Sequence, residues 1–351
     1  MKRLLPALIV LVLAGCAGIS SAPAGGASHR REQRRDGDAR YRRPPRGDDS
    51  WFWEIDPPRA GLAGLPAVRA AYPRPGSARI WETDMFEDSN RSHGQELRIP
   101  TGRSTVVSAL NAAGHYTVCY VEAGAYQLGF PDDRDFAAGD YGSGARRYSM
   151  RGWPGEWWLD LRGFRAYSAG RQGTLRGAAR NIAAALARRI RWCRLEGQDA
   201  IEADDVDSYE NASVTGARGG GWGNTRADEL GFQRWLAHTA HADGLAILQK
   251  NDPADAAIDV RLFDGALSEE CSRYNDPCAG PDGDWNSYLR AGKPVLDAEY
   301  IQDGETTTRF CAADRRWGIW GALLGVKLDG QRPYSVCWSA AAAITDAPRS
   351  R

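Results

Sequence analysis

One pattern constrains this chain more than any other. Between residues 51 and 299, short β-rich runs recur, most end in acid, and helical stretches separate them. The runs are Trp51–Ile55, Ala78–Asp84, Tyr116–Glu122, Trp157–Leu161, Asp199–Asp204, Leu245–Lys250, Asp264–Glu269 and Lys293–Glu299. Helical spacing is plainest over 174–195 and 226–243. The second stretch opens with Thr225 and Asp228 as a capping pair and stops at Gly244. Strands that alternate with helices build a parallel sheet. Eight such units in roughly 290 residues predict an α/β fold closed as a (β/α)8 TIM barrel, in one catalytic domain. Gly318–Leu328 offers one further helix-plus-strand unit.

A barrel gathers all strand C-termini at one face, so the acids there should meet. They are Asp84, Glu122, Asp160, Glu202, Asp204, Asp252, Glu269, Asp297 and Glu299. Side chains alternate along a strand. In Ile201-Glu202-Ala203-Asp204, the apolar residues suit the helix side, which turns Glu202 and Asp204 to the axis. Glu122 points inward beside Tyr120, and Asp297 shares a face with Glu299. Helix capping accounts for about half of these acids. It does not account for acids inside apolar strands, two residues apart. Converging carboxylates raise one another's pKa, so such a set suits chemistry, a metal or a cationic ligand. Tryptophans near the strand ends, Trp53 among them, offer faces for sugar rings.

Other chemistries find no support. Zero formal net charge from 45 basic and 45 acidic residues, with acidic loops, argues against nucleic acid as a partner. No GxSxG elbow or Walker loop is present, and Gly219–Gly223 misses the dinucleotide spacing and reads as a flexible loop. No CxxC or HExxH occurs, so neither a metal nor a cofactor is expected. Two carboxylates at separate strand ends fit glycoside hydrolysis.

The N-terminus carries export features. Lys2 and Arg3 precede the apolar Leu4–Leu13, and Leu13-Ala14-Gly15-Cys16 resembles a bacterial lipobox, with Cys16 as the lipidated residue. Residues 1–16 are thus expected to be a lipoprotein signal, 17–50 a disordered Arg/Gly/Pro-rich tether, 51–340 the barrel and 341–351 a disordered tail. The expected location is the bacterial envelope, at the outer membrane, with the lipid as the only membrane contact and a monomeric barrel beyond it. Six further cysteines suit an oxidising compartment. Cys271 with Cys278 is the best pair and Cys311 with Cys337 the next. Cys119, in an apolar strand, reads equally as a buried thiol, and a bridge to Cys193 stays open.

Taken in order, several stretches resemble glycoside hydrolase family 114, the endo-α-1,4-polygalactosaminidases. They are Ile80-Trp81-Glu82-Thr83-Asp84, Val118-Cys119-Tyr120-Val121-Glu122, Trp157-Trp158-Leu159-Asp160, Glu202-Ala203-Asp204-Asp205-Val206-Asp207, Lys250-Asn251-Asp252 and Glu269-Glu270-Cys271. The family usually has Pro at position 203 and Asn at 205 and 268. The resemblance implies a TIM barrel that cleaves α-1,4-linked galactosamine polymers. It places the catalytic pair on Asp204, as nucleophile of a retaining reaction, and Glu269, as acid/base. It adds Asp207 and Lys250 to Trp53, Asp84, Tyr120, Glu122, Asp160, Glu202, Asp252, Asp297 and Glu299 as substrate contacts. Galactosamine carries an ammonium that a ring of carboxylates would bind, and the same ring would keep an acid/base Glu protonated. The alternatives are a barrel that binds polysaccharide without cutting it, and a hydrolase of a related amino-sugar polymer.

Overall fold

A computed structural model describes residues 41–46, 50–55, 78–86, 105–168, 175–273, 278, 283–328 and 335–337. Cys16, residues 17–40 and the tail 341–351 lie outside them. Among the described residues eleven strands run in chain order: β1 (Ser50–Glu54), β2 (Ala78–Asp84), β3 (Tyr116–Glu122), β4 (Ala125–Gln127), β5 (Glu156–Trp158), β6 (Ala200–Asp204), β7 (Ala246–Lys250), β8 (Gly265–Glu269), β9 (Val295–Tyr300), β10 (Trp320–Leu324) and β11 (Ser335–Val336). Four longer helices accompany them: α1 (Thr105–Ala112), α2 (Ala178–Glu196), α3 (Arg226–Ala242) and α4 (Thr307–Trp317).

The main sheet has the order β1-β2-β3-β6-β7-β8-β9-β10-β11. Its first eight members are parallel, and β11 pairs antiparallel with β10. At the seam, the Trp51 indole donates to the Trp320 carbonyl at 2.5 Å, and Ile55 N to Leu328 O at 2.9 Å. This is a TIM barrel, with one correction to the expected strand list. The Trp157–Leu161 run does not join the barrel. Its first part, β5, pairs antiparallel with β4 in a separate hairpin, and β3 pairs directly with β6. It is β4 that follows β3 by a local turn, and β5 returns to it after residues 128–155, so the two form an antiparallel pair of their own outside the barrel. The place in the barrel goes to β10, within the extra unit at Gly318–Leu328.

Both faces of the barrel strands are buried, as parallel sheets require. Tyr116, Val118 and Tyr120 of β3 face inward with Trp51, Trp53, Leu248, Leu267, Leu296 and Trp320. Cys119 and Val121 face outward with Ile182, Leu186 and Phe232 of the helices. Helix α3 starts as expected: Thr225 N donates to Asp228 Oδ2 at 2.9 Å, and Asp228 N donates to Thr225 Oγ1 at 3.4 Å.

Three disulfides form. Cys271–Cys278 and Cys311–Cys337 are the expected pairs, and Cys119–Cys193 links β3 to α2. Two further expectations change. Gly219, Gly220 and Gly221 are buried rather than a flexible loop, and a Cβ on Gly220 would meet Trp158 at 2.6 Å. Ordered structure also begins before residue 51. The Tyr41 ring stacks on His241 at 4.6 Å, and Arg42 donates to Asp199 at 2.8 Å and to His115 O at 3.0 Å. An aromatic and an arginine with partners on the barrel overcome the segment's otherwise disorder-prone composition.

Candidate active site

The C-terminal rim gathers acids from β2, β3, β6 and β8 around one lysine. Lys250, the last residue of β7, is 2% exposed. Its Nζ lies 3.0 Å from Asp204 Oδ1, 3.2 Å from Glu202 Oε1 and 3.4 Å from Glu269 Oε2. Burial alone would lower its pKa, but Asp204, Glu202 and Glu269 hold the ammonium well above its ordinary value. The alternation expected for β6 is present: Ile201 and Ala203 pack outward, while Glu202 and Asp204 reach the lysine.

Asp204 is held from two sides. Its Oδ2 accepts from the Tyr120 hydroxyl at 2.8 Å, and Oδ1 accepts from Asp205 N at 2.8 Å besides Lys250. Glu269 accepts from Asn251 Nδ2 at 3.0 Å and from the Tyr300 hydroxyl, while its own N donates to Asn251 Oδ1 at 2.9 Å. Both carboxyl groups are therefore positioned yet partly open, 20% and 26% exposed. Glu122 lies inward beside Tyr120, whose hydroxyl is 3.3 Å from Glu122 Oε2; its other oxygen accepts from Ala125 N.

Backbone geometry sharpens the rim. Asp205, Asn251, Asp252 and Glu270 have φ of 58°, 44°, 55° and 57°, all just past the ends of β6, β7 and β8. Non-glycine residues in this region are uncommon and mark turns fixed by their surroundings. The chain thus leaves each strand abruptly, with the terminal side chain standing at the rim. Gly124 lets the next turn close on this point, because a Cβ there would fall 1.7 Å from Asp205 O.

The electrostatics follow from crowding. Burial, then the Asp204 charge, pushes Glu156 up to about 7. The same two causes push Asp207 up to about 7. Glu202 is pushed up to about 7 by burial, against the opposing pull of Lys250. Glu82, Glu122 and Asp205 rise well above the carboxylate range, each by burial first and by a neighbouring carboxylate second. Glu122, Asp204 and Asp205 present oxygens all within 4.8 Å of one another. Near neutral pH this rim holds several protons that a bound cation would displace.

Other expected contacts fall elsewhere. Trp53 is 1% exposed and lies beneath Lys250, whose Nζ is 4.8 Å from the ring centroid, so it is a floor for the ammonium rather than a sugar platform. Asp84 gives Oδ1 to Phe86 N at 2.6 Å, fixing the turn after β2. Asp160 sits beyond the hairpin, paired bidentately with Arg162 at 2.7 and 2.8 Å. Asp252 turns away from the rim to Tyr209 at 2.9 Å and Gln233 at 2.8 Å. Asp297 and Glu299 do share a face, but it is the outer one. Burial and then Asp314 of α4 hold Asp297 high, and Glu299 accepts from Ser272 N at 2.6 Å. Leu296, Ala298 and Tyr300 take the inner face of β9.

Tyr300, Asn251, Glu82, Glu156 and Asp205 complete the site and were missed. Alternation from Ile80 would have found Glu82. Glu156 had no signal, since only the hairpin brings it to Asp204. Among the described tryptophans, Trp153 is the most open at 55%, in the loop leading to β5.

A family model described as glycoside-hydrolase family GH114 matches residues 31–337. The fold is similar to that of Aspergillus fumigatus Ega3 in complex with galactosamine: 21% identity over 84% of this chain and 96% of that one, TM-score 0.60. The chain also matches the glycoside hydrolase domain of PelA from Pseudomonas aeruginosa, at 16% identity over 81% of this chain and 97% of that one, TM-score 0.46. A third match is the alpha-galactosidase TtGalA from Thermus thermophilus, at 15% identity over 84% of this chain and 60% of that one, TM-score 0.45. No curated protein is detectably similar in sequence.

Proposed function

The chain belongs to glycoside-hydrolase family GH114, and on that premise we propose that it cleaves an α-1,4-linked, galactosamine-containing polysaccharide with retention of configuration. The observation that carries this reading is the single buried ammonium that touches both Asp204 and Glu269. Those two oxygens lie 3.0 and 3.4 Å from Lys250 Nζ. These two oxygens are therefore no more than about 6.4 Å apart, which brings the two carboxyl groups to one site, as a two-carboxylate reaction needs.

In the first step, Glu269 protonates the glycosidic oxygen as that bond breaks. Asp204 attacks the anomeric carbon and becomes its ester. The Oδ2 atom suits this attack, because among the described residues it accepts from the Tyr120 hydroxyl alone. In the second step, Glu269 takes a proton from water, the water oxygen attacks the same carbon, and Asp204 leaves as carboxylate. Lys250 offsets charge on Asp204 throughout, and Tyr300 and Asn251 hold the Glu269 carboxyl in place.

The acid-rich rim supports an amino sugar over a neutral one. A galactosamine ammonium placed among Glu122, Asp205 and Asp207 would meet carboxylates on several sides. The galactosamine in the Ega3 complex names the sugar to try first. The test is incubation with partly deacetylated α-1,4-galactosamine polymer, with products read by mass and the newborn anomer by NMR. Shorter oligomers with an initial α-anomer are expected. Binding without cleavage would favour a non-catalytic barrel, and an initial β-anomer would reject retention. Export and anchoring through Cys16 remain part of the proposal, supported by the Lys2–Cys16 sequence and by three disulfides that suit an oxidising compartment.

A further inference from the structure

The opposite end of the barrel holds a second concentration of charge. A cavity of about 170 Å³ opens where β8 and β9 begin. Arg43, Arg46, Arg261 and Lys293 line it, together with a single carboxylate, Asp264. That carboxylate is already engaged. Asp264 accepts from the Tyr41 hydroxyl at 3.1 Å and from Ile247 N at 3.2 Å, and faces His241 Nε2 at 2.9 Å. Among the described residues, no acid forms an ion pair with Arg43, Arg46 or Arg261 within 4.0 Å.

The cations are held together by structure rather than by chance exposure. Tyr41 stacks on His241 and Pro44 is buried, so Arg43 and Arg46 stand on a segment fixed to the barrel. Arg46 reaches the turn at Gly292, where its Nη1 lies 3.5 Å from the position a Cβ would take. Lys293 donates to Val260 O at 2.6 Å and also to Phe263 O, which aims its half-buried ammonium at the cavity wall. Burial lowers the Lys293 pKa, and Arg43 and Arg46 lower it further against the pull of Asp264. Among the described residues four cations thus share one carboxylate, Asp264, and an anion with several acceptor oxygens would balance them.

We propose that this cavity, formed by Arg43, Arg46, Arg261 and Lys293 at the N-terminal end of the barrel, binds a phosphate group. Glu269, at the far end of β8, is five residue steps from Asp264, about 17 Å along the strand. Its occupant therefore does not touch the catalytic rim, and the proposal stands apart from the glycosidase reading. The phosphate arrives either on a small ester or on a lipid headgroup. The headgroup source would seat this end of the barrel on an anionic bilayer and leave the rim facing outward.

The test titrates the full chain with inorganic phosphate by calorimetry and cosediments it with phosphatidylglycerol or phosphatidylcholine vesicles. The same is done for the triple variant Arg43→Gln, Arg46→Gln, Arg261→Gln, and for Arg180→Gln, an exposed arginine on α2. Saturable phosphate binding is expected, weakened at least about tenfold in the triple variant and unchanged by Arg180→Gln. Phosphatidylglycerol binding above the phosphatidylcholine level, competed by phosphate, would assign the headgroup as source. Phosphate binding with no vesicle preference would assign a small ester. If the triple variant fails to fold, the exposed Arg46→Gln alone takes its place. Absence of phosphate binding together with no vesicle preference would overturn the proposal. So would an equal loss in Arg180→Gln, which would mark a diffuse charge effect.

Discussion

Replacing Lys250 with Met keeps an unbranched stem one atom shorter and removes the charge. The structure sets the scale of the effect. Three carboxylates lie 3.0, 3.2 and 3.4 Å from Nζ, which is 2% exposed. At an effective dielectric near 20, one such pair is worth about 5 kcal/mol of attraction before desolvation is subtracted. Removing one partner of a buried ion pair typically costs about 3–5 kcal/mol. Lys250→Met should lose that much near pH 8, where the acids that faced the lysine are left crowded and unpaired. The deficit should shrink as pH falls. Glu202 titrates at about 7 even beside the lysine, and removing Lys250 raises the carboxylate pKa values further. The folded variant then takes up protons that neutralise the crowding, so acid restores part of its stability. Urea denaturation at pH 5 and pH 8, with disulfides intact, measures both numbers. A loss below about 1 kcal/mol at pH 8, or an equal loss at both pH values, would refute Lys250 as the counter-charge of this rim.

Asp204→Asn and Glu269→Gln should each lower turnover by about two orders of magnitude or more with little change in melting temperature; Glu270→Gln should stay near wild type, because Glu270 turns away to Arg273. Wild-type stability should fall as pH rises through about 7. Glu156, Glu202 and Asp207 are raised to that value, so the folded chain binds more protons than the unfolded one in the acid range, and that advantage is lost as they ionise. A cationic galactosamine oligomer should accordingly raise the melting temperature more at pH 7, where the rim acids have begun to ionise and the ammonium is still charged, than at pH 5.5; the reverse order would remove the case for an ammonium subsite. Paired Cys119→Ser and Cys193→Ser substitutions should cost about 2–4 kcal/mol in denaturant, since that bridge closes a separation of 74 residues. Cys16→Ala should move the protein from the membrane fraction to the soluble one, and unchanged fractionation would reject lipidation.

The sequence determined the barrel and half of its chemistry through local periodicity. Alternation along a strand is a property of the backbone, so Glu202 and Asp204 could be aimed inward from Ile201 and Ala203 alone, and Glu122 from Val121. The same rule said that Asp297 and Glu299 share a face but not which face, because β9 is apolar on both sides. Only packing decides that question: Leu296 and Ala298 fill the barrel, and Asp297 meets α4. Composition also marked Trp157–Leu161 as a strand without saying what it pairs with. Pairing is a long-range choice, and the hairpin with β4 removed this run from the barrel while carrying Glu156 to Asp204. Lys250 shows the same division. Its place at the end of β7 was readable, but its contact with three carboxylates from two other strands, β6 and β8, exists only once the sheet has closed. Local rules fix the direction of a side chain relative to its own strand, while closure and helix packing fix what that side chain meets.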